Sequence, residues 1–425
     1  MAAGRPGHAA ANRRRAAAPR QTCAAGRRAP RVHNGRMDLA AIQAELRARN
    51  FDAWLFYDHH HRDAIAYRLL GLPADLLATR RWYYLIPAQG EPRKLVHRIE
   101  AGHLDTLPGG KRVYSSWEEN RAGVRDLVAG CRRLAMQYSP DNMLPTISLV
   151  DAGTVELLRS FGVEVASSAD LVARFEAVWT AAQLESHRVA GAVVDEAIQA
   201  GFREIRRRLS LGQRPSESEI QDFLTQRLEQ GGLLVNEPPI VAANAHAGDP
   251  HYEPRPGRAA PIGEGDLVLF DVWAKARTPR AVYYDVTWMG LAADRAPEAV
   301  RRAFALVRDA RDQTIDFVQS AIAAGQTIHG WEVDQVARGT IASAGMGDKF
   351  VHRTGHSIGE SVHANGANMD NYETRDEREI LPHTCFSIEP GVYTESFGIR
   401  LEVNVYVGEG RAEVTGPVQN EFVRI

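Results

Sequence analysis

The sequence predicts an α+β protein built from a smaller α/β unit and a larger unit in which helices cover a sheet. Two observations carry this expectation. From Met37 to about residue 173, short apolar runs alternate with helical periods. From residue 174 onward, long helical patterns alternate with β-rich stretches, and helices of that kind bury their apolar stripe by packing on a sheet. The expected division is a head at 1–36, an N-terminal domain at 37–173 and a larger second domain at 174–425.

In the first unit, Leu39, Ile42 and Leu46 mark a helix over Leu39–Arg49. Strand-like runs follow at Ala53–Tyr57, Trp82–Pro87, Lys94–Ile99, Leu134–Tyr138, Ile147–Val150 and Val163–Ala166. The consecutive His59, His60 and His61 cannot converge on one ion from a strand or helix and are expected in a loop.

In the second unit, helices are predicted over Ala182–Leu209, Ser216–Gln230, Pro297–Ala324 and Glu332–Ala344. Ser216 and Glu219 form a capping box, Gly231 suits the position after the helix, and Pro297 suits a first turn. Gly212, Gln213, Glu219 and Gly232 recur at an offset of 113 as Gly325, Gln326, Glu332 and Gly345, which suggests an internal duplication. Strands are predicted at Leu267–Trp273, Val282–Met289, Thr384–Ile388 and Ile399–Val407.

Composition narrows the function. Of the 425 residues 44% are hydrophobic and 24% charged, ordinary for a globular chain, and no long uncharged apolar stretch suggests a membrane span. Residues 1–36 carry nine arginines and no acid, so the net charge of −2 hides a body at −11. That acidic body argues against nucleic-acid binding. The head lacks apolar residues and periodicity and is expected to be disordered and dispensable. Cys23, Cys131 and Cys385 are too few and too scattered for a disulfide framework, which fits a reducing cytoplasm. Cys385 reads as a small buried hydrophobe.

Chemistry concentrates in four phrases. Asp271 in LVLFDVW and Asp285 in VYYDVTWMG interrupt strongly apolar runs. A hairpin centred at Thr278 sets the two directly opposite on one face, where a divalent cation would relieve their repulsion. VHRTGHSIGESVH brings His352, His356 and His363 within twelve positions, beside Gly355 and Gly359. Glu389 in SIEPGVY precedes a tight Pro-Gly turn. Glu402 in GIRLEVNV shares a strand face with Arg400 and Asn404, so a salt bridge to Arg400 is the plain alternative to metal binding. Four carboxylates and an imidazole suit two ions of the Mn, Co, Fe or Zn kind.

The order Asp271, Asp285, His356, Glu389, Glu402 in these phrases resembles the pita-bread metallopeptidases, in their prolidase and aminopeptidase P branch. The resemblance covers about 175–425 and implies a curved antiparallel sheet under helices; residues 37–173 resemble the N-terminal domain of the same branch. It implies that Asp271 holds one ion, Asp285 and Glu402 bridge two, and His356 and Glu389 complete the second, with Glu389 also moving the proton. Manganese is favoured, with cobalt, zinc or iron as alternatives. It further implies that His251 in DPHY and His363 act on substrate, and that His352, Tyr393 and Arg400 support or contact it. Implied too are a homodimer, a cytoplasmic setting and peptide substrates with proline second.

Departures from the family pattern are Val272-Trp273 after the first ligand, Arg353 after His352, and a longer interval between the two aspartates. The lengthened hairpin carries Lys275, Arg277 and Arg280. Arg375 and Arg378 stand in an R-x-x-R placement similar to that of prolidases, where the first arginine grips the dipeptide carboxylate. The expected activity is therefore Xaa-Pro dipeptidase, with aminopeptidase P on longer peptides as the alternative. A creatinase-like hydrolase or a binding-only module would lack the intact ligand set.

Overall fold

Two families of sheet organise the chain, which is described from a computed structural model covering residues 37–425 except 256. The expectation for the head, and Cys23 with it, lies outside the described residues. The first sheet draws on α1 (Leu39–Ala48), β1 (Ala53–Asp58), α2 (Ala64–Leu70), β2 (Trp82–Pro87), β3 (Arg93–His97), β4 (Gly110–Tyr114), α3 (Trp117–Leu127), β5 (Arg133–Met136), α4 (Ala152–Arg159) and β6 (Glu164–Ser167). Its order is β4-β3-β2-β1-β5-β6, antiparallel at β1–β2 and parallel at β1–β5. All six residues of β1 are buried, because both faces of this central strand are covered.

Two sequence expectations fail here for physical reasons. Ile147–Val150 is not a strand: Pro145 opens a single 3-10 turn, Pro145–Ile147, and the chain continues irregularly. Conversely, β4 gave no apolar alternation because it is an edge strand with Gly110–Val113 exposed.

After α5 (Ala169–Val172) come α6 (Ala181–Ser210), α7 (Glu217–Gln230), β7 (Leu233–Leu234), β8 (Ile240–Ala243), β9 (Leu267–Ala276) and β10 (Tyr283–Leu291). Then follow α8 (Glu298–Ala323), α9 (Gly330–Ser343), β11 (Ser357–Ile358), β12 (Thr384–Ile388), β13 (Gly391–Tyr393), β14 (Gly398–Arg400), β15 (Val403–Val407), β16 (Ala412–Val414) and β17 (Val423–Arg424). The ladders are β17-β10-β9-β7 with β8 also on β9, β11-β12-β15-β16, and β13-β14. All pairings in them are antiparallel except β10–β17.

Alternation along β9 and β10 sorts the side chains. Val268, Phe270, Val272, Ala274, Tyr284 and Val286 share a core with α6 and α7. Phe202 stacks on Phe270 at 4.1 Å, and a side chain at Gly201 would strike Phe270 Cε2 at 2.9 Å. Leu267, Leu269, Met289 and Leu291 face the other way, toward α8 and α9. Asp271, Asp285 and Thr287 lie on this second face by the period of two.

The duplication has a structural counterpart. Just beyond α6 stands Gly212 (φ 72°) and just beyond α8 Gly325 (φ 69°), both left-handed. Each is followed by a 14-residue helix that opens on a capping box, Ser216 with Glu219 and His329 with Glu332. At the end of α7 the left-handed residue is Gly232 (φ 84°); Gly231, expected to take that role, keeps a negative φ.

The run Ile399–Val407 is not one strand. β14 pairs with β13 and β15 with β12, and the chain changes ladder at Leu401–Glu402. Beyond this bend β10 is completed by side-chain amides. The Asn404 Oδ1 accepts from the Asp285 N–H at 3.1 Å, and its Nδ2 donates to the Asp285 carbonyl. Gln419 does the same at Met289, accepting at 2.8 Å and donating at 2.6 Å. Among the described residues no helix is long and apolar enough to cross a membrane.

Candidate metal centre

Asp271 and Asp285 reach the site from the β9–β10 hairpin, in a register that corrects the sequence reading. Asp285 stands opposite Trp273 and Asp271 opposite Thr287, so the two aspartates are diagonal rather than direct neighbours. The cause is the turn: Thr278–Ala281 closes through the Ala281 N–H to the Thr278 carbonyl, with Arg280 left-handed at φ 61°. This moves the hairpin centre by one residue and the register by two, which preserves the face.

His356 is delivered by close approach. A Cβ at Gly355 would lie 1.9 Å from the Ser387 carbonyl, so only glycine permits the contact. The His356 N–H then donates to Ser387 Oγ at 2.9 Å, and that hydroxyl donates to Glu389 Oε1 at 3.0 Å. Upstream, buried Asp334 accepts from the Thr354 N–H at 2.9 Å and pairs with Arg338, which in turn donates to the carbonyls of Phe350 and His352. Asp334, Arg338, Ser387 and Thr287 were missed in the sequence, and Asn404 was read only as a neighbour of Glu402 on one strand face, not as the partner of Asp285. The available signal was a polar residue at a core position, as for Asn404 between Val403 and Val405.

Ligand atoms of Asp285, His356 and Glu402 all lie within 4.8 Å of one another. His356 Nε2 is 3.4 Å from Asp285 Oδ2 and 3.5 Å from Glu389 Oε1. Asp271 adjoins this group but turns to Arg400, forming an ion pair. Thr287 links the rest: its hydroxyl donates to Glu402 Oε2 at 2.9 Å and accepts from Arg400 Nε at 2.9 Å. The plain alternative for Glu402, a salt bridge to Arg400, is thus taken by Asp271.

The electrostatics fit a cation. Burial, then neighbouring carboxylates, hold Asp285 and Glu402 well above the usual carboxylate range, and burial raises Glu389. Asp285 Oδ1 and Glu402 Oε1 are buried with no hydrogen-bond partner among the described residues. A buried acid cluster with orphaned oxygens and an adjacent imidazole held neutral by burial fits the kind of donor set that divalent ions take.

The other expected site residues divide into two groups. His363 packs edge-on against His356 at 4.2 Å, and His356, then burial, push it down to about 3. His251 is exposed, and its loop is anchored where Arg400 Nη1 donates to the Pro250 carbonyl at 3.3 Å. His352 is engaged at both ring nitrogens, with Tyr393 Oη at 2.7 Å and the Arg353 carbonyl at 2.6 Å. Arg400 also donates to Tyr393 Oη at 3.3 Å, so His352, Tyr393 and Arg400 form one relay. Arg375 stands apart: it is half-exposed, lies over Trp331 at 4.4 Å and pairs with Glu377 at 3.1 Å. Arg378 is buried against Asp376 at 2.6 Å. His59, His60 and His61 lie in the turn after β1, apart from the cluster.

An inward-facing acid pair on a curved sheet, with one histidine and two further acids brought in from a second ladder, defines a metallohydrolase scaffold of the pita-bread type. The model of metallopeptidase family M24 matches residues 185–409, and the chain belongs to that family. It is similar to the Xaa-Pro dipeptidase of Lactobacillus delbrueckii subsp. lactis, 31% identical over 234 residues, which are 55% of this chain and 58% of that enzyme. The fold matches dipeptidase PepE from Mycobacterium ulcerans, with a TM-score of 0.66 and 22% identity over 92% of this chain and 99% of that one. It also matches an X-prolyl aminopeptidase from Caenorhabditis elegans, described as a cytosolic enzyme with a di-nuclear active site. There the TM-score is 0.62 and the identity 17%, over 91% of this chain and 62% of that one.

Proposed function

We propose that this chain is a dinuclear-metal peptidase that hydrolyses Xaa-Pro dipeptides. The observation that carries the reading is the buried Asp285–His356–Glu402 cluster with its two unpartnered oxygens, set in a metallopeptidase fold. Asp271, Asp285, His356, Glu389 and Glu402 would hold two divalent ions, manganese first among the candidates. When bound, the ions supply Lewis-acid polarisation of the scissile carbonyl.

The chain's own groups do the rest. Glu389 is fixed at Oε1 by the Ser387 hydroxyl, which leaves Oε2 to take a proton from the attacking water and pass it to the leaving prolyl nitrogen. His363, held neutral, presents a ring N–H to the substrate carbonyl side, and His251 acts on the substrate from its exposed loop. The relay of Arg400, Tyr393 and His352 orients Asp271. Arg375 is the cation assigned to the free carboxylate of the dipeptide, which would displace the exposed Glu377. The likeness to the Lactobacillus Xaa-Pro dipeptidase supports the substrate class. A homodimer in the cytoplasm belongs to the same reading.

One observation favours the alternative, an Xaa-Pro aminopeptidase acting on longer peptides: Arg375 is already engaged by Trp331 and Glu377. Turnover of Xaa-Pro, Xaa-Pro-amide and Xaa-Pro-Yaa by wild type and Arg375→Ala decides between them. A dipeptidase cuts the free acid best, and Arg375→Ala raises its KM sharply. Equal cleavage of all three establishes the aminopeptidase.

A further inference from the structure

Three consecutive main-chain carbonyls ahead of His363 are each taken by a donor from elsewhere in the fold. Trp179 Nε1 donates to the Ile358 carbonyl at 3.2 Å, the Tyr283 N–H to that of Gly359 at 2.9 Å, and Lys275 Nζ to that of Glu360. The Glu360 carboxylate is held too, by Arg280 Nε at 3.0 Å and Gln183 Nε2 at 3.4 Å. Three of these five donors come from the tip of the β9–β10 hairpin, the segment lengthened between the two aspartates. The anchored loop ends at His363, whose ring meets His356 on one side. On the other side His363, Glu360 and Arg280 line a cavity of about 410 Å³ that also touches Tyr67, Arg68 and Phe175.

We propose that the hairpin tip is the positioning element for His363: Lys275 and Arg280 fix the 358–363 loop so that the imidazole faces the substrate. The inference rests on the reading of His363 as a substrate-side group. An unanchored loop would spread that imidazole over many positions, and a misplacement of about 1 Å costs roughly 10²-fold in rate. The Arg280–Glu360 pair is 45% and 43% exposed, a kind of pair that adds little to stability, so its role is separable from folding.

The test is a double-mutant cycle on the metal-loaded enzyme, with kcat and KM for an Xaa-Pro dipeptide and hydrogen exchange of residues 358–364. Lys275→Met lowers kcat roughly 10- to 100-fold with KM and metal content held, a range expected for loss of an orienting partner. Exchange in 358–364 rises, and Lys275→Arg, which keeps the donor, restores both readouts. In a His363→Ala background, Lys275→Met costs nothing further. Arg280→Ala, which keeps an L residue at this left-handed position and removes the guanidinium, shows the same pattern with a smaller loss, because Gln183 still holds Glu360. Losses that multiply in the double variant overturn the proposal alone. Wild-type turnover by His363→Ala removes the substrate-side reading and the proposal with it. Unchanged exchange in 358–364 overturns the proposal whichever peptide the enzyme cuts.

Discussion

Asn404 supplies the most telling perturbation, because one side chain closes both main-chain groups of a metal-ligand candidate. Its amide accepts from the Asp285 N–H and donates to the Asp285 carbonyl, and Asn404 is 1% exposed. Asn404→Leu keeps the volume and strands both groups in a dry interior. Each unsatisfied buried group costs about 1–3 kcal/mol, so the variant loses roughly 2–6 kcal/mol. The same change frees the Asp285 peptide to rotate, and loss of an orienting partner typically weakens metal binding roughly 10- to 100-fold. Asn404→Asp separates the two effects: it can still accept from the N–H but cannot donate, and it adds an anion to a crowded acid cluster. The assays are urea unfolding of the apo-protein and competitive Mn titration against a chelating dye. An Asn404→Leu variant that unfolds within about 0.5 kcal/mol of wild type, the usual span of neutral surface changes, and binds metal equally well would refute the reasoning.

Three further outcomes follow from the same geometry. Glu402→Gln removes one charge from the cluster while leaving an oxygen for the Thr287 hydroxyl, so the variant should lose at least one ion by elemental analysis and nearly all turnover. His187 is fully buried, its Nδ1–H donating to the Tyr283 carbonyl at 2.6 Å and its Nε2 accepting from Thr415 Oγ1 at 2.7 Å, and burial holds it down at about 4. Because that value is depressed from 6.5, the unfolded chain binds the extra proton first; stability falls as pH drops from 6.5 toward 4, by about 3 kcal/mol in all, and His187→Asn should flatten that slope in urea unfolding between pH 7.5 and 4. Phe270→Ala empties a site that stacks on Phe202 and should destabilise by about 3–5 kcal/mol in the same assay.

Much of the fold was legible because its signals are local. The β2 and β12 boundaries were read to the residue, and the Ser216–Glu219 box fixed the start of α7. The site candidates stood out for another reason: Asp271 and Asp285 interrupt apolar runs, and three histidines fall within twelve positions beside two glycines. What escaped was whatever depends on pairing across distance. The register of Asp271 against Asp285 turned on the left-handed Arg280, which sequence does not mark. The ladder change at Leu401–Glu402 is invisible in an unbroken apolar run. Asn404 and Gln419 read as ordinary polar residues because the strand edge they complete is formed by chain more than a hundred positions away. Arg375, singled out from its spacing, is drawn by its immediate neighbours Trp331 and Glu377.

The two matching helix pairs, α6–α7 and α8–α9, have a consequence for the order in which the protein is made. The acid pair Asp271 and Asp285 sits in the hairpin between them, whereas His356, Glu389 and Glu402 all lie after the second pair. A ribosome releasing the chain therefore exposes two carboxylates long before any partner exists, and the centre can close only when the last segment arrives. Closing it ties residues 117 positions apart, Asp285 and Glu402, into one knot of contacts. Non-local closure of this kind is slow to form. A divalent ion held by this cluster would be enclosed only once the last segment has arrived, and it would tie the hairpin after α6–α7 to the segments after α8–α9. Stripping it should leave each half folded while the seam between them exchanges with solvent first.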